Sequence, residues 1–380
     1  MPETAALHRR VRGHKDMANE SWNRVCQEEP PMQATAAPTT DAATRQKYYD
    51  TIAPQALAPL WEVLKGLVPP EPRSKAVPHV WQYSKVRPLL IEAGSLVTAE
   101  EAERRVLVLE NPALAGQSRI TSSIYAGVQL VMPGEVAPAH KHTASALRFV
   151  LESNGGYTTV AGERTLMRRG DFVITPNGAW HDHGQESDTP IIWVDGLDLH
   201  MINFFESGFM EHHNDKKQML VKNDEESVAR YGSGLVPMTG HSPFGMTSPI
   251  FNYRYDRSRA ALMDVVANNT VDPNLGHALR YANPLDGGWA MPTIATWLSH
   301  LPKGFETKEY RATDGRTIIV VEGEVTAEID GKKFTIGESD IAVWPAWAWG
   351  HLRADKDAIF FTFSDRAAQE KLGIWREDRR

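Results

Sequence analysis

The chain has 380 residues, of which 42% are hydrophobic and 23% charged, with 41 basic against 48 acidic side chains and a net charge of −7. Its length exceeds one ordinary domain and suits two of about 100–150 residues with connecting helices. The acidic balance leaves no basic surplus for phosphates, so nucleic acid is not an expected partner, and no apolar run approaches a membrane span.

Residues 1–45, rich in Ala, Thr, Pro, Glu and Arg, read as a loose arm in which Met17 offers an alternative start. The arm has no apolar core followed by a small-residue cleavage site. Cys26 has no partner for a disulfide, and a thiolate metal site cannot be built, so a cytoplasmic setting is expected. Apolar residues then recur at helical spacing from Ala56 to Leu64, before Pro69, Pro70 and Pro72 stop the pattern, which predicts one packed helix. From about Ser122 the runs SSIYAGVQLVM, ALRFVLES, YTTVAG, DFVITP and IIWVDGLD, divided by Gly, Pro and Asn turns, predict antiparallel strands. Residues 201–284 read as a connecting segment in which SRAALMDVVAN forms a helix. Strands resume with TIIVVEGEV, TAEIDG, KKFTIG, DIAVWP and AIFFTFSD, ahead of a charged tail expected to be a terminal helix.

The two β regions repeat. Gly170 to Pro176 aligns with Ser339 to Pro345, and each run is followed by a histidine, His181 and His351. The expected fold class is therefore mainly β: two tandem jelly-roll barrels with flanking helices. The first spans 46–200 with its leading helix, and the second spans 285–380 with the tail.

Chemistry concentrates in the first repeat. Gly134, five residues, then His140-Lys141-His142 is followed by Gly170, five residues, and Pro176-Asn177-Gly178-Ala179-Trp180-His181; both segments have the spacing of the two cupin motifs. Side chains two apart on a strand share a face, so His140 and His142 point together, and a hairpin brings His181 to them. Three neutral imidazoles suit Fe(II), Mn(II), Ni(II), Cu(II) or Zn(II), with open positions left for reactants. The glutamate usual in cupins is missing, since Ala146 and Leu147 stand where it would fall. A metal without a carboxylate ligand keeps its full charge and favours an anionic, chelating substrate. Arg148 is placed to grip a carboxylate. Tyr125, Gly127 and Gln129 share a face opposite the ligands, Gly127 making room for a flat ring. His183 and Asp195 are candidates to orient a ligand or move a proton. In the second repeat no histidine stands near Glu306 to Glu309, so that barrel is expected to hold no metal.

The His pair with Arg148, the run PNGAWHDHG, the missing glutamate and the run Asn283-Pro284-Leu285-Asp286-Gly287-Gly288 with Met291-Pro292-Thr293-Ile294 resemble gentisate 1,2-dioxygenases over roughly residues 45–365. Salicylate and 1-hydroxy-2-naphthoate dioxygenases are similar to that family. The resemblance implies Fe(II) on His140, His142 and His181, with Arg104, Gln129 and Arg148 around the substrate and Arg148, His183 and Asp195 in the chemistry; Tyr125 and Gly127, from their shared strand face, are expected to set substrate choice. It implies that O2 opens an ortho-hydroxy aromatic acid between the carboxyl- and hydroxyl-bearing carbons, giving maleylpyruvate from gentisate, in a homotetramer. A non-catalytic, small-molecule-binding bicupin is the competing class, and one intact ligand set argues against it.

Overall fold

The structure, a computed structural model, describes residues 41–239 and 244–380; the arm up to residue 40, with Met17 and Cys26, lies outside them. Two compact units divide at Pro69 and Pro70. The first contains a helix at Ala42–Ile52, started by the Asp41 carboxylate accepting the Thr44 N–H at 2.7 Å, and a second at Leu60–Leu67. The packed helix expected from Ala56 is thus shorter, because Ala56 takes a left-handed φ and Pro59 occupies the N-cap. None of its residues is buried: Leu60, Trp61, Leu64 and Leu67 stay exposed, and within this unit Trp61 Nε1–H donates to the Tyr49 hydroxyl at 2.9 Å.

The second unit is built of strands. In chain order they are β1 (His79–Trp81), β2 (Val106–Val108), β3 (Tyr125–Val131), β4 (Val136–His142), β5 (Ala146–Glu152), β6 (Gly156–Val160), β7 (Glu163–Leu166), β8 (Phe172–Thr175), β9 (His181–Gln185) and β10 (Ile191–Leu197). The segment after them supplies β11 (Met210–His212), β12 (Asn252–Tyr253) and β13 (His277–Arg280). The remainder are β14 (Ala295–Leu301), β15 (Phe305–Glu306), β16 (Tyr310–Ala312), β17 (Arg316–Glu322), β18 (Val325–Ile329), β19 (Lys332–Ile336), β20 (Ile341–Trp344), β21 (Gly350–Ala354), β22 (Ala358–Ser364) and β23 (Glu377–Arg379).

The first barrel joins a sheet in the order β12-β8-β5-β10-β3-β2 to one in the order β11-β4-β9-β6-β7. The second joins β1-β20-β17-β22-β14-β13 to β19-β18-β21-β16-β23, with β15 on β21. Strand alternation decides where each side chain goes. On β5, Leu147, Phe149 and Leu151 enter the core shared by the barrels' six-stranded sheets, where Phe149 stacks on Phe361 at 4.3 Å between centroids, while Val150 joins a cluster with Val173 and Trp193. Both faces of the strand are covered, which is why ALRFVLE is almost wholly apolar.

The barrels are related by exchange. β1, early in the chain, pairs with β20 of the second barrel, and β12 pairs with β8 of the first. Each short strand leads into a 14-residue helix, Tyr83–Leu96 and Tyr255–Asn268. The first N–H of each helix donates to an aspartate of the barrel its strand has joined: Tyr83 to Asp340 at 2.7 Å and Tyr255 to Asp171 at 2.9 Å. One turn on, Tyr83 and Arg87 grip Glu152, as Tyr255 and Arg259 grip Glu322.

The interiors differ. β5 pairs with β8 so that Arg148 opposes Val173, and β17 pairs with β20 so that Ile318 opposes Ala342, the equivalent rung. Ile318, Val320, Trp344 and Phe360 fill the second barrel with hydrocarbon, while the first keeps polar side chains inside. The tail expected to be helical is a helix only at Arg366–Lys371. Gly373, at φ 70°, lies just past its end, and the last residues pair as β23 along β16. No helix among the described residues is long and apolar enough to cross a membrane.

Candidate metal centre and its pocket

His140 and His142 share one face of β4, and β9 brings His181 directly opposite His140 across the ladder. The ladder slips between Ala137 and His140, a bulge of the kind that re-aims side chains. The three rings lie 4.5–5.2 Å apart between centroids, and each offers a nitrogen within 4.8 Å of the others. His142 Nδ1–H donates to the Ala144 carbonyl at 2.7 Å and His181 Nδ1–H to that of Ala179 at 3.0 Å, which leaves Nε2 of each as the free lone pair. Burial is the first cause holding all three imidazoles neutral. It takes His140 down to about 2 with help from Arg104, His142 down to about 4, and His181 well below its ordinary value. His181 Nε2 is buried without a partner. Neutral, convergent imidazole nitrogens are what a divalent transition metal takes up, so the donor set fits a metal. Among the described residues no second such group is present; in the other barrel His351 Nε2 faces Glu306 at 3.3 Å.

The rings form one wall of a cavity of about 480 Å3. Arg148, 3% exposed, projects into it from β5, donating from Nη1 to Thr175 Oγ1 at 2.6 Å; its Nε stands 3.5 Å from Asp195 Oδ1 and has no hydrogen-bond partner. Asp195, on β10 opposite Arg148 in the ladder, accepts Trp193 Nε1–H at 2.8 Å. Burial lifts its carboxyl to about 6, against the downward pull of Arg148.

Arg104 reaches the same cavity and donates from Nη2 to the Pro138 carbonyl at 2.9 Å and to His140 Nε2 at 3.3 Å. Burial and the neighbouring Arg148 charge lower its guanidinium to about 10. Its neighbour Arg105 turns away to Glu135. Tyr125 and Gln129 line the cavity from β3, and the buried Gln129 Nε2 has no partner. Burial, then Asp195, raises the Tyr125 phenol, which stays a donor.

Two sequence candidates stand elsewhere. His183 is fully buried behind His181, against Trp193, with both ring nitrogens unpaired, and does not line the cavity. Gly127 does not line it either, because a methyl of Val106 fills the room its missing side chain leaves. Sequence reasoning missed Val106 and a roof made by Leu199, Ile202, Phe209 and Met210. All of the roof but Leu199 comes from the segment read as a connector; β11 adds to the edge of β4 with Met210 opposite His142, and no local pattern signals that pairing.

Residues 127–197 match the cupin domain. The chain is 49% identical to gentisate 1,2 dioxygenase 1 of Aquipseudomonas alcaligenes over 335 residues, 88% of this chain and 96% of that protein. It is 35% identical to 5-aminosalicylate 1,2-dioxygenase of a Comamonas species, over 90% of this chain and 92% of the relative. Among solved structures it resembles salicylate 1,2-dioxygenase from Pseudoaminobacter salicylatoxidans with gentisate bound, at a TM-score of 0.84 and 32% identity, covering 91% of this chain and 96% of that one.

Proposed function

The chain belongs to the family of gentisate 1,2-dioxygenases and their ring-cleaving cupin relatives, and from that premise we propose that it opens gentisate (2,5-dihydroxybenzoate) with O2, using iron(II) on His140, His142 and His181, to give maleylpyruvate. The observation that carries this reading is the pairing of three neutral imidazoles with the guanidiniums of Arg104 and Arg148 in a cavity otherwise lined largely by apolar side chains. When bound, iron(II) supplies the redox chemistry that lets triplet oxygen react with a closed-shell phenol.

The protein's share is orientation and exclusion of water. Arg148 and Arg104 hold the carboxylate, which sets the adjacent ring carbon and its hydroxyl beside the imidazoles. Asp195 keeps Arg148 in place. Gln129 Nε2 and the Tyr125 phenol donate to ring oxygens. Val106, Ala146, Leu197 and the roof residues Leu199, Ile202, Phe209 and Met210 pack the ring faces. His183, packed one layer behind His181, orients that ring, and Gly127 acts on the substrate through Val106. The 46–200 domain carries the imidazoles, 201–284 connects the two barrels and adds cavity roof, and 285–380 forms the domain without metal.

We place the enzyme in the cytoplasm, in aromatic catabolism, as a homo-oligomer, a tetramer by analogy with the family. Its exposed Leu60, Trp61, Phe204 and Phe205 support association. Salicylate and 1-hydroxy-2-naphthoate are the alternative substrates, the latter because a relative named 1-hydroxy-2-naphthoate 1,2-dioxygenase is 31% identical over 90% of this chain.

The test is anaerobic iron loading, then oxygen-electrode assays with gentisate, salicylate and 1-hydroxy-2-naphthoate in parallel, watching for ultraviolet absorbance of the ring-opened product. Turnover of gentisate above the others is expected. Turnover of another acid alone transfers the proposal to it, and silence with all three on iron-loaded protein overturns it.

A further inference from the structure

We propose that the ion pair between buried Arg105 and half-buried Glu135 is the device that aims Arg104 into the substrate cavity. Arg105 is therefore a positioning residue for carboxylate binding, an inference that rests on the role given to Arg104 above.

The backbone before Arg104 is held against its preference. Glu103 sits at φ 55° and ψ −50°, outside the conformations open to a residue with a Cβ at ordinary cost, and the Arg104 N–H closes a tight turn on the Ala102 carbonyl. Such a turn persists only where its surroundings over-determine it. On its upstream side is a helix of four residues, Ala99–Ala102, and downstream is β2, only three residues long. Neither is an anchor by itself.

Arg105 is the anchor. Its side chain is 4% exposed and makes four hydrogen bonds: Nη1 and Nη2 to the two Glu135 oxygens at 2.7 and 2.8 Å, and Nε and Nη2 to the Val97 carbonyl at 2.9 and 2.6 Å. Glu135 also accepts the Met132 N–H at 2.8 Å, so one guanidinium ties the end of the Tyr83–Leu96 helix, the start of β2 and the turn between β3 and β4. That turn leads into the strand carrying His140 and His142, so the clamp sets Arg104 relative to the ligand set. Arg104 itself has weaker holds, on the Glu103 and Pro138 carbonyls and on His140 Nε2. Successive side chains of an extended segment point opposite ways, which is how one arginine faces the cavity while its neighbour is locked behind it.

The experiment measures gentisate affinity by calorimetry on iron(II)-loaded protein under anaerobic conditions, for wild type, R104M, R105K, E135Q and R104M/R105K. R104M should weaken binding about ten-fold and R105K or E135Q about three- to ten-fold, as expected for losing or misplacing a charged hydrogen bond. In the R104M background R105K should cost less than about two-fold more, because both act through one guanidinium. Iron stoichiometry should be unchanged throughout. Wild-type affinity in R105K and E135Q overturns the proposal, as does an R105K loss that persists undiminished in R104M, or R104M binding like wild type. If R105K fails to fold, E135Q and R104M/E135Q carry the same comparison. Wild-type protein that binds gentisate yet consumes no oxygen refutes the ring-opening reading and leaves this comparison intact. Wild-type protein that binds no gentisate overturns both.

Discussion

Replacing Gly127 by alanine tests whether the cavity wall is built by packing on β3 rather than by the cavity-lining residues alone. A Cβ at Gly127 would lie 2.3 Å from Val106 Cγ1, and 3.2 Å from both the Leu107 carbonyl oxygen and the Tyr125 hydroxyl. Carbon atoms rest about 3.5–4.0 Å apart, so more than about 1 Å of room must be made. Val106 is β-branched and stiff, and its strand is held in register by Val106 opposite Gln129 and Val108 opposite Gly127. Either Val106 leaves its rotamer and enters the cavity, or β2 backs away and carries Arg104 with it. Overpacking of this kind costs about 1–3 kcal/mol. If the substrate feels all of it, affinity falls about 5- to 150-fold. Oxygen-electrode assays on G127A should show KM for gentisate raised about ten-fold, with a melting temperature lower by a few degrees. V106A/G127A should return both towards wild type, because it removes the methyl that clashes. A G127A enzyme with wild-type KM and melting temperature would refute the reasoning, and so would a double variant no better than G127A.

Three further outcomes are expected. R148M removes a charged partner of the substrate carboxylate and should raise KM about ten- to hundred-fold; steady-state kinetics showing an unchanged KM would place the carboxylate elsewhere. Asp195, lifted by burial to about 6, should rise further when an anion binds beside Arg148. Binding then takes up a proton, and affinity strengthens as pH falls from 8 and levels off near 6. Calorimetry in buffers of different ionisation enthalpy should show that extra proton in wild type and not in D195N; equal uptake in both refutes the assignment. Finally, H142A should lose stoichiometric iron by metal analysis, while H351A should keep it with activity intact; iron loss in H351A would mean that the second barrel takes part in metal binding.

Much of this molecule was legible because its signals are local. Short, almost wholly apolar runs bounded by turn residues expose strands such as β5 and β17, and a His-x-His pair must share a strand face wherever that strand goes. The Gly170 and Ser339 runs reveal the duplication, since the turns before β8 and β20 impose the same backbone demand twice. The departure from the cupin pattern at Ala146 and Leu147 likewise needed only spacing. These readings follow from chemistry within about ten residues of each position.

What the chain could not disclose depends on partners far along it. The Tyr83–Leu96 helix begins where Asp340, 257 residues away, accepts its first N–H, and the exchange of β1 and β12 between barrels has no local mark. Gly127 was expected to leave space for a ring, but Val106 from a neighbouring strand occupies it. Arg104 and Arg105 are adjacent and chemically alike; only the place of Glu135 and the cavity separates a cavity-lining arginine from a buried clamp. The final strand forms because the edge of β16 offers unpaired backbone to a tail whose own composition favours a helix. Sequence alone thus determined the main barrel strands, their repeat and the clustering of imidazoles on one strand face, because those are properties of short stretches. Tertiary structure decided which side chains meet, because pairing between strands and the filling of a cavity are set by every neighbour at once.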